Sequence, residues 1–211
     1  MATRVRSSFE RCVFVNAPFD DDFLPLLHAL LFTIHDCGFI AWLAVEDTGA
    51  SEMRIDKIVR IMRESCHSIH DISRVEGAGV SGLPRFNMPF EAGLAMGATR
   101  FEPAGRHRRD FLVLDAEPFR GKRTLSDLAG QDPRIHHNDP EQVVSAVRRF
   151  LAAKSTGGRT RGASKIWERY LQFGADLPAL GKALDISMQE MSSFDYLPEW
   201  TQVASQWVLN P

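Results

Sequence analysis

Short apolar runs with no polar partner face, each followed by a helical stripe, constrain this chain more than any other feature. Val13-Phe14-Val15 is such a run, closed by Asn16-Ala17-Pro18. A strand that shows no polar alternation is buried on both faces, as strands of parallel sheets are. Asp20 to Asp22 then precede Phe23, Leu24, Leu27, Leu30, Leu31 and Ile34, one stripe of a helix that its acids favour at the N-terminus and Gly38 ends. Phe39 to Val45 reads as a second strand, and a helix opening at Ser51 and Glu52 places Ile55, Ile58, Val59, Met62 and Cys66 on one face. Ser68 to Ile72 is a third strand, Met88 to Thr99 a helix, and Phe111 to Leu114 a fourth strand. Thr124 to Gly130 reads as a short helix and Arg134 to His136 as a fifth strand. Pro140 to Ala153 is a helix with Asp139 as its N-cap. Strands alternating with helices predict an α/β fold, a flavodoxin-like doubly wound parallel sheet.

The chain has 211 residues, enough for one such domain plus an appendage. The polar stretch Ser155 to Gly162 reads as a linker, dividing an α/β domain over 1–154 from a helical region over 163–211. Ile166, Tyr170 and Phe173 form one stripe in that region, and Leu197, Trp200, Ala204, Trp207 and Val208 form another. A segment so short does not make its own core. It is expected to dock on the rest of the chain and to contribute, through Trp167, Tyr170, Trp200 and Trp207, to a homo-oligomer.

The net charge of −2 gives no global field toward nucleic acid or anionic membrane. The run Arg106, His107, Arg108, Arg109 reads as a solvated loop before a strand. Leu180 to Met191 has a helix–turn–helix look, but its second helix, Ser187 to Asp195, has no Lys or Arg to meet phosphates, so no nucleic-acid partner is expected. The 3 cysteines are too few and too far apart for a disulfide framework or a zinc knuckle and read as small buried hydrophobes. His28 and His35 share a helix face as a satisfied pair, and His136-His137 reads as a loop pair rather than as metal ligands. No metal is expected. The N-terminus has no apolar h-region, and no run spans a bilayer, so the expected compartment is the cytoplasm, with no membrane partner.

Open parallel sheets bind ligands beyond the carboxyl ends of their strands, where the strand order reverses. Asn16 ends the first strand and Asp71 the third. Taken singly, Asn16 reads equally as a turn residue and Asp71 as a helix cap or loop acid. Arg74 to Arg85 is a long loop rich in Gly and Ser, and such loops are often functional. In the segment that follows, Glu91 falls in the first turns of a helix among Met88, Phe90, Leu94 and Met96. Gly93 and Gly97 cost that helix about 1 kcal/mol each relative to Ala. Close approach of a ligand or of a packed strand would account for them.

Ile69 to Ser73 (IHDIS), a variable loop, and then Asn87 to Ala95 (NMPFEAGLA) resemble the nucleoside 2-deoxyribosyltransferase-like and TIR-like nucleotide-binding superfamily. The opening VFVNAPFDDDF and the helix RIDKIVRIM are also similar to it. The resemblance spans residues 12–115 and implies cleavage of N-glycosidic bonds, with NAD as substrate rather than cofactor. It implies that Glu91 is the catalytic carboxylate and that Asp71, second in the catalytic pair, holds a ribose hydroxyl or orients the leaving base. Asn16, Pro18, Phe19, Ser73, Asn87 and Arg54 are then the substrate-binding candidates, and the small-molecule partner is a nucleotide. TIR relatives act as NAD-consuming effectors in immunity, including bacterial phage defence. A transferase or hydrolase of nucleosides or nucleoside monophosphates and a non-catalytic nucleotide sensor are the alternatives. Asp36, at the end of the first helix, is expected to tolerate Asn and to serve as an inert control.

Overall fold

A computed structural model describes residues 9–44, 52–74, 86–102, 109–120, 132–155 and 160–210. The chain is α/β, with a five-stranded, wholly parallel sheet. Its strands are β1 (Cys12–Asn16), β2 (Ile40–Leu43), β3 (His67–Asp71), β4 (Asp110–Asp115) and β5 (Arg134–Ile135). They lie in the order β2-β1-β3-β4-β5, the flavodoxin-like order of a doubly wound sheet, which reverses at β1. The helices are α1 (Leu24–Asp36), α2 (Arg54–Arg63), α3 (Asn87–Phe101), α4 (Pro140–Ala152), α5 (Ala163–Ala183), α6 (Met188–Met191) and α7 (Leu197–Leu209). The short helix expected over Thr124 to Gly130, most of the Arg74 to Arg85 loop, and Arg106 to Arg108 lie outside the described residues.

The chain forms two compact units. The first comprises residues 1–18 and 39–137 and contains the sheet with α2 and α3. Every residue of β1 and β3 is buried. Phe14, Ile58, Ile61, Met62 and Ala95 form a core between the strands and these helices. Arg109 is no solvated loop residue. Its Nη1 donates to the Met62 and Ser65 carbonyls at 2.6 Å each and its Nη2 to the Arg63 carbonyl at 3.0 Å. A cation there caps the carbonyls at and just beyond the C-terminus of α2.

The second unit comprises residues 19–38 and 138–211, so α1 and α4 group with the tail. The reason is that α1 is apolar beyond its single expected stripe: Leu24, Leu26, Leu27, Ala29, Leu30, Leu31, Phe32 and Ile34 are all buried. Phe32 meets Tyr170 and Phe173 at 5.5 Å and Trp207 at 5.9 Å, and the His28 ring stacks on Trp200 at 4.0 Å. Phe23 N–H donates to Asp20 Oδ1 at the start of α1, and Gly38 takes φ +84 at its end, where an L side chain is strained. Asp139 caps α4 by accepting from Glu141 N–H at 2.9 Å, as its sequence predicts. The would-be recognition helix is a single turn, α6, capped by Ser187 and followed by a 3₁₀ turn over Phe194–Tyr196.

Asp36 is buried and ion-paired: Arg169 Nε lies 2.7 Å from Oδ1 and Arg161 Nη1 3.4 Å from Oδ2. It is therefore not the inert control expected of a helix-end acid. Deleting Ala163 to Pro211 removes the ring partners of Phe32 and His28 given above and the Arg169 partner of Asp36, leaving Asp36 only the longer contact to Arg161. We expect the 1–162 fragment to aggregate. Size-exclusion chromatography checks this, and a soluble, monomeric fragment as active as the whole chain would contradict it.

Candidate functional site

The end of β1 is tied to β3 and to the start of α3. Asn16 pairs with His70 in the β1–β3 register. Its Nδ2 donates to the Met88 carbonyl at 3.0 Å and lies 3.1 Å from His70 Nδ1. His70 Nε2 lies 2.9 Å from Ser68 Oγ. Asn16 is 2% exposed and His70 fully buried, between Phe14 and Phe111. Burial lowers the His70 pKa to about 3, so its imidazole is neutral. A neutral imidazole that accepts at Nδ1 carries its proton on Nε2. The strand order reverses beside these residues.

Glu91 lies on the buried face of α3 with Met88, Ala92 and Ala95 and is 5% exposed. Burial raises its pKa to about 7, against the lowering pull of the Arg54 charge at the start of α2. Among the described residues it has no hydrogen bond or ion pair. A carboxyl lifted by desolvation, with one cation acting on it, is the pattern of a functional group. An added Cβ at Gly93 would meet open space, and at Gly97 only the Phe101 ring, at 3.6 Å. Among the described residues no packed strand accounts for these glycines. Asn87 and Arg54 are exposed at the starts of their helices. Phe86 and Phe90, which flank Asn87 in the chain, are 69% and 58% exposed.

Asp71 belongs to a different constellation. Successive side chains of a strand point to opposite faces, so Asp71 points away from the face that carries His70 and α3. Its Oδ1 accepts from Ser73 N–H at 2.9 Å, and its Oδ2 lies 3.1 Å from His136 Nε2, both side chains being fully buried. No described contact joins it to Glu91. Next to it, Asp115 ends β4 and pairs with Arg120, whose Nη2 also donates to the Ser73 carbonyl at 2.7 Å. Burial raises the Asp115 pKa, opposed by Arg120 and by the backbone N–H of Ala116. Ser73, just past β3, and Pro18, just past β1, are buried. Phe19 falls in the second unit, where its ring meets Phe194 edge-on at 5.9 Å.

Sequence reasoning missed His70, His136, Asp115 and Arg120. His136 lies just past the end of β5, as a loop residue, but it is not exposed: its backbone N–H donates to the Asp115 carbonyl at 3.0 Å and its side chain is wholly buried. The strand-end rule, carried on to the fourth and fifth strands, would have singled out Asp115 and His136. Nothing in the local pattern marks Arg120.

Among the described residues no group of three or more His, Cys, Asp and Glu side chains is placed to hold a metal ion. None of their helices is long and apolar enough to cross a membrane. Comparison with family models, with curated proteins and with solved structures returns no match.

Proposed function

We propose that this chain cleaves the bond between ribose and base in a nucleotide, NAD being the first candidate and a nucleoside monophosphate or deoxynucleoside the second. The observation that supports it is Glu91, a nearly buried carboxyl with a raised pKa at the start of α3, where Asn16 ties that helix to the end of β1. Breaking a ribosyl–base bond develops positive charge on the sugar. A carboxylate at the anomeric carbon stabilises that cation or attacks it. In the second case a ribosyl ester forms, the base leaves with the bonding pair, and water later cleaves the ester. A role in bacterial defence and assembly into a homo-oligomer go with this reading.

The engagement of Asp71 with Ser73 and His136 favours a second reading, a nucleotide sensor, because it leaves one carboxyl rather than two for chemistry. Incubating the pure protein with NAD, nucleoside monophosphates and deoxynucleosides, followed by chromatography, separates the two. Free base supports the enzyme; tight binding without product supports the sensor.

The acting form of Glu91 is the carboxylate. We therefore expect kcat/KM to rise with pH around a midpoint near 7. Arg54 lowers that pKa, so Arg54→Ala should move the midpoint upward. A midpoint that stays in place in a pH–rate series would contradict the coupling.

A further inference from the structure

The Asn16 side chain has unequal halves. Its Nδ2 donates to the Met88 carbonyl and faces His70 Nδ1, so both N–H bonds are committed inside the protein. Its Oδ1 is buried and has no partner among the described residues. Rotating the amide by a half-turn would set Oδ1 against the Met88 carbonyl, acceptor against acceptor, so the orientation is fixed by chemistry. His70 fits it. The imidazole is neutral, so an Nδ1 that accepts from Asn16 leaves its proton on Nε2, where Ser68 Oγ at 2.9 Å can accept it as a hydrogen bond. A buried acceptor without a donor costs about 1–3 kcal/mol, so this one calls for an explanation. It stands at the end of β1, beside the strand reversal where open parallel sheets take their ligands.

We infer that Ser68, His70 and the Met88 carbonyl hold Asn16 as an acceptor-only group, and that its Oδ1 receives an O–H or N–H donor of the bound nucleotide. This rests on the nucleotide reading above and deepens it. Asn16 is the ligand-binding residue; His70 and Ser68 are positioning residues that act through it. The donor is either a ribose hydroxyl or an N–H of the base, and the arms of the test separate these sources.

The test measures binding rather than turnover, by calorimetry, with NAD, ribose 5-phosphate and nicotinamide as probes. Asn16→Ala should weaken NAD about tenfold, the worth of one hydrogen bond at the upper end of its range. Equal weakening of ribose 5-phosphate identifies a sugar hydroxyl as the donor; weakening of nicotinamide instead identifies the base. Ser68→Ala, a smaller change, should weaken the same probe about two- to threefold, and Ser68→Thr should restore it. Nitrogen NMR of the wild-type chain provides a readout that needs no variant: His70 should carry its proton on Nε2 across the neutral range. A His70 protonated on Nδ1 overturns the positioning chain. Unchanged affinity of folded Asn16→Ala for every probe overturns the proposal and leaves nucleotide binding standing. A wild-type chain that binds none of the probes overturns both.

Discussion

Glu91→Gln should lower turnover by about 10²–10³-fold, the scale of losing one strong electrostatic contact to a developing charge. The amide keeps the size of the carboxyl and cannot carry the charge that the ribosyl cation needs. The same variant should gain stability. Glu91 titrates at 4.5 when exposed and near 7 in the fold, so the folded state binds its proton more tightly. The associated stability is fully present below the lower value and is lost as pH rises through the upper one. Above neutrality Glu91→Gln escapes that loss, and allowing for solvent screening the gain is about 1–2 kcal/mol. Thermal unfolding on either side of neutrality checks it. A variant that loses both activity and stability at high pH would make Glu91 a structural residue.

Asp36→Asn should cost about 3 kcal/mol, because removing one member of a buried ion pair leaves the other uncompensated. The variant leaves Arg169 held over the Trp207 ring at 4.9 Å with its carboxylate gone. Denaturant unfolding at fixed pH measures the loss. A change within about 0.5 kcal/mol, the range of ordinary surface substitutions, would refute the buried-pair account.

Asp36 also marks where the sequence stopped being legible. Its neighbours in the chain, His35 and Cys37, give a helix end, and a helix end reads as exposed. Its partners lie more than a hundred positions away, beyond any local pattern. Periodicity did reveal the parallel sheet, because β1 and β4 carry apolar runs that only burial on both faces explains. β3 is different: HSIHD is polar and yet buried throughout, with His70 set against Asn16 and Ser68, Asp71 Oδ1 accepting from Ser73 N–H, and Asp71 Oδ2 lying near His136. Those pairings depend on register and on strand ends meeting across the sheet. Asn16 and Glu91 were accessible to reasoning from strand ends and from the helix start. The placement of Asp71 on the opposite face follows from the period-two alternation of a strand, once β3 is seen to run as far as that residue.

The central claim, that Glu91 supports cleavage of a ribosyl–base bond, is tested most directly by one comparison. Equal amounts of the wild-type chain and of Glu91→Gln, both shown to be folded, are incubated with NAD above neutrality, and free nicotinamide is quantified by chromatography. The account predicts nicotinamide release by the wild type that Glu91→Gln reduces by about 10²-fold or more. Equal release by the two proteins would contradict it.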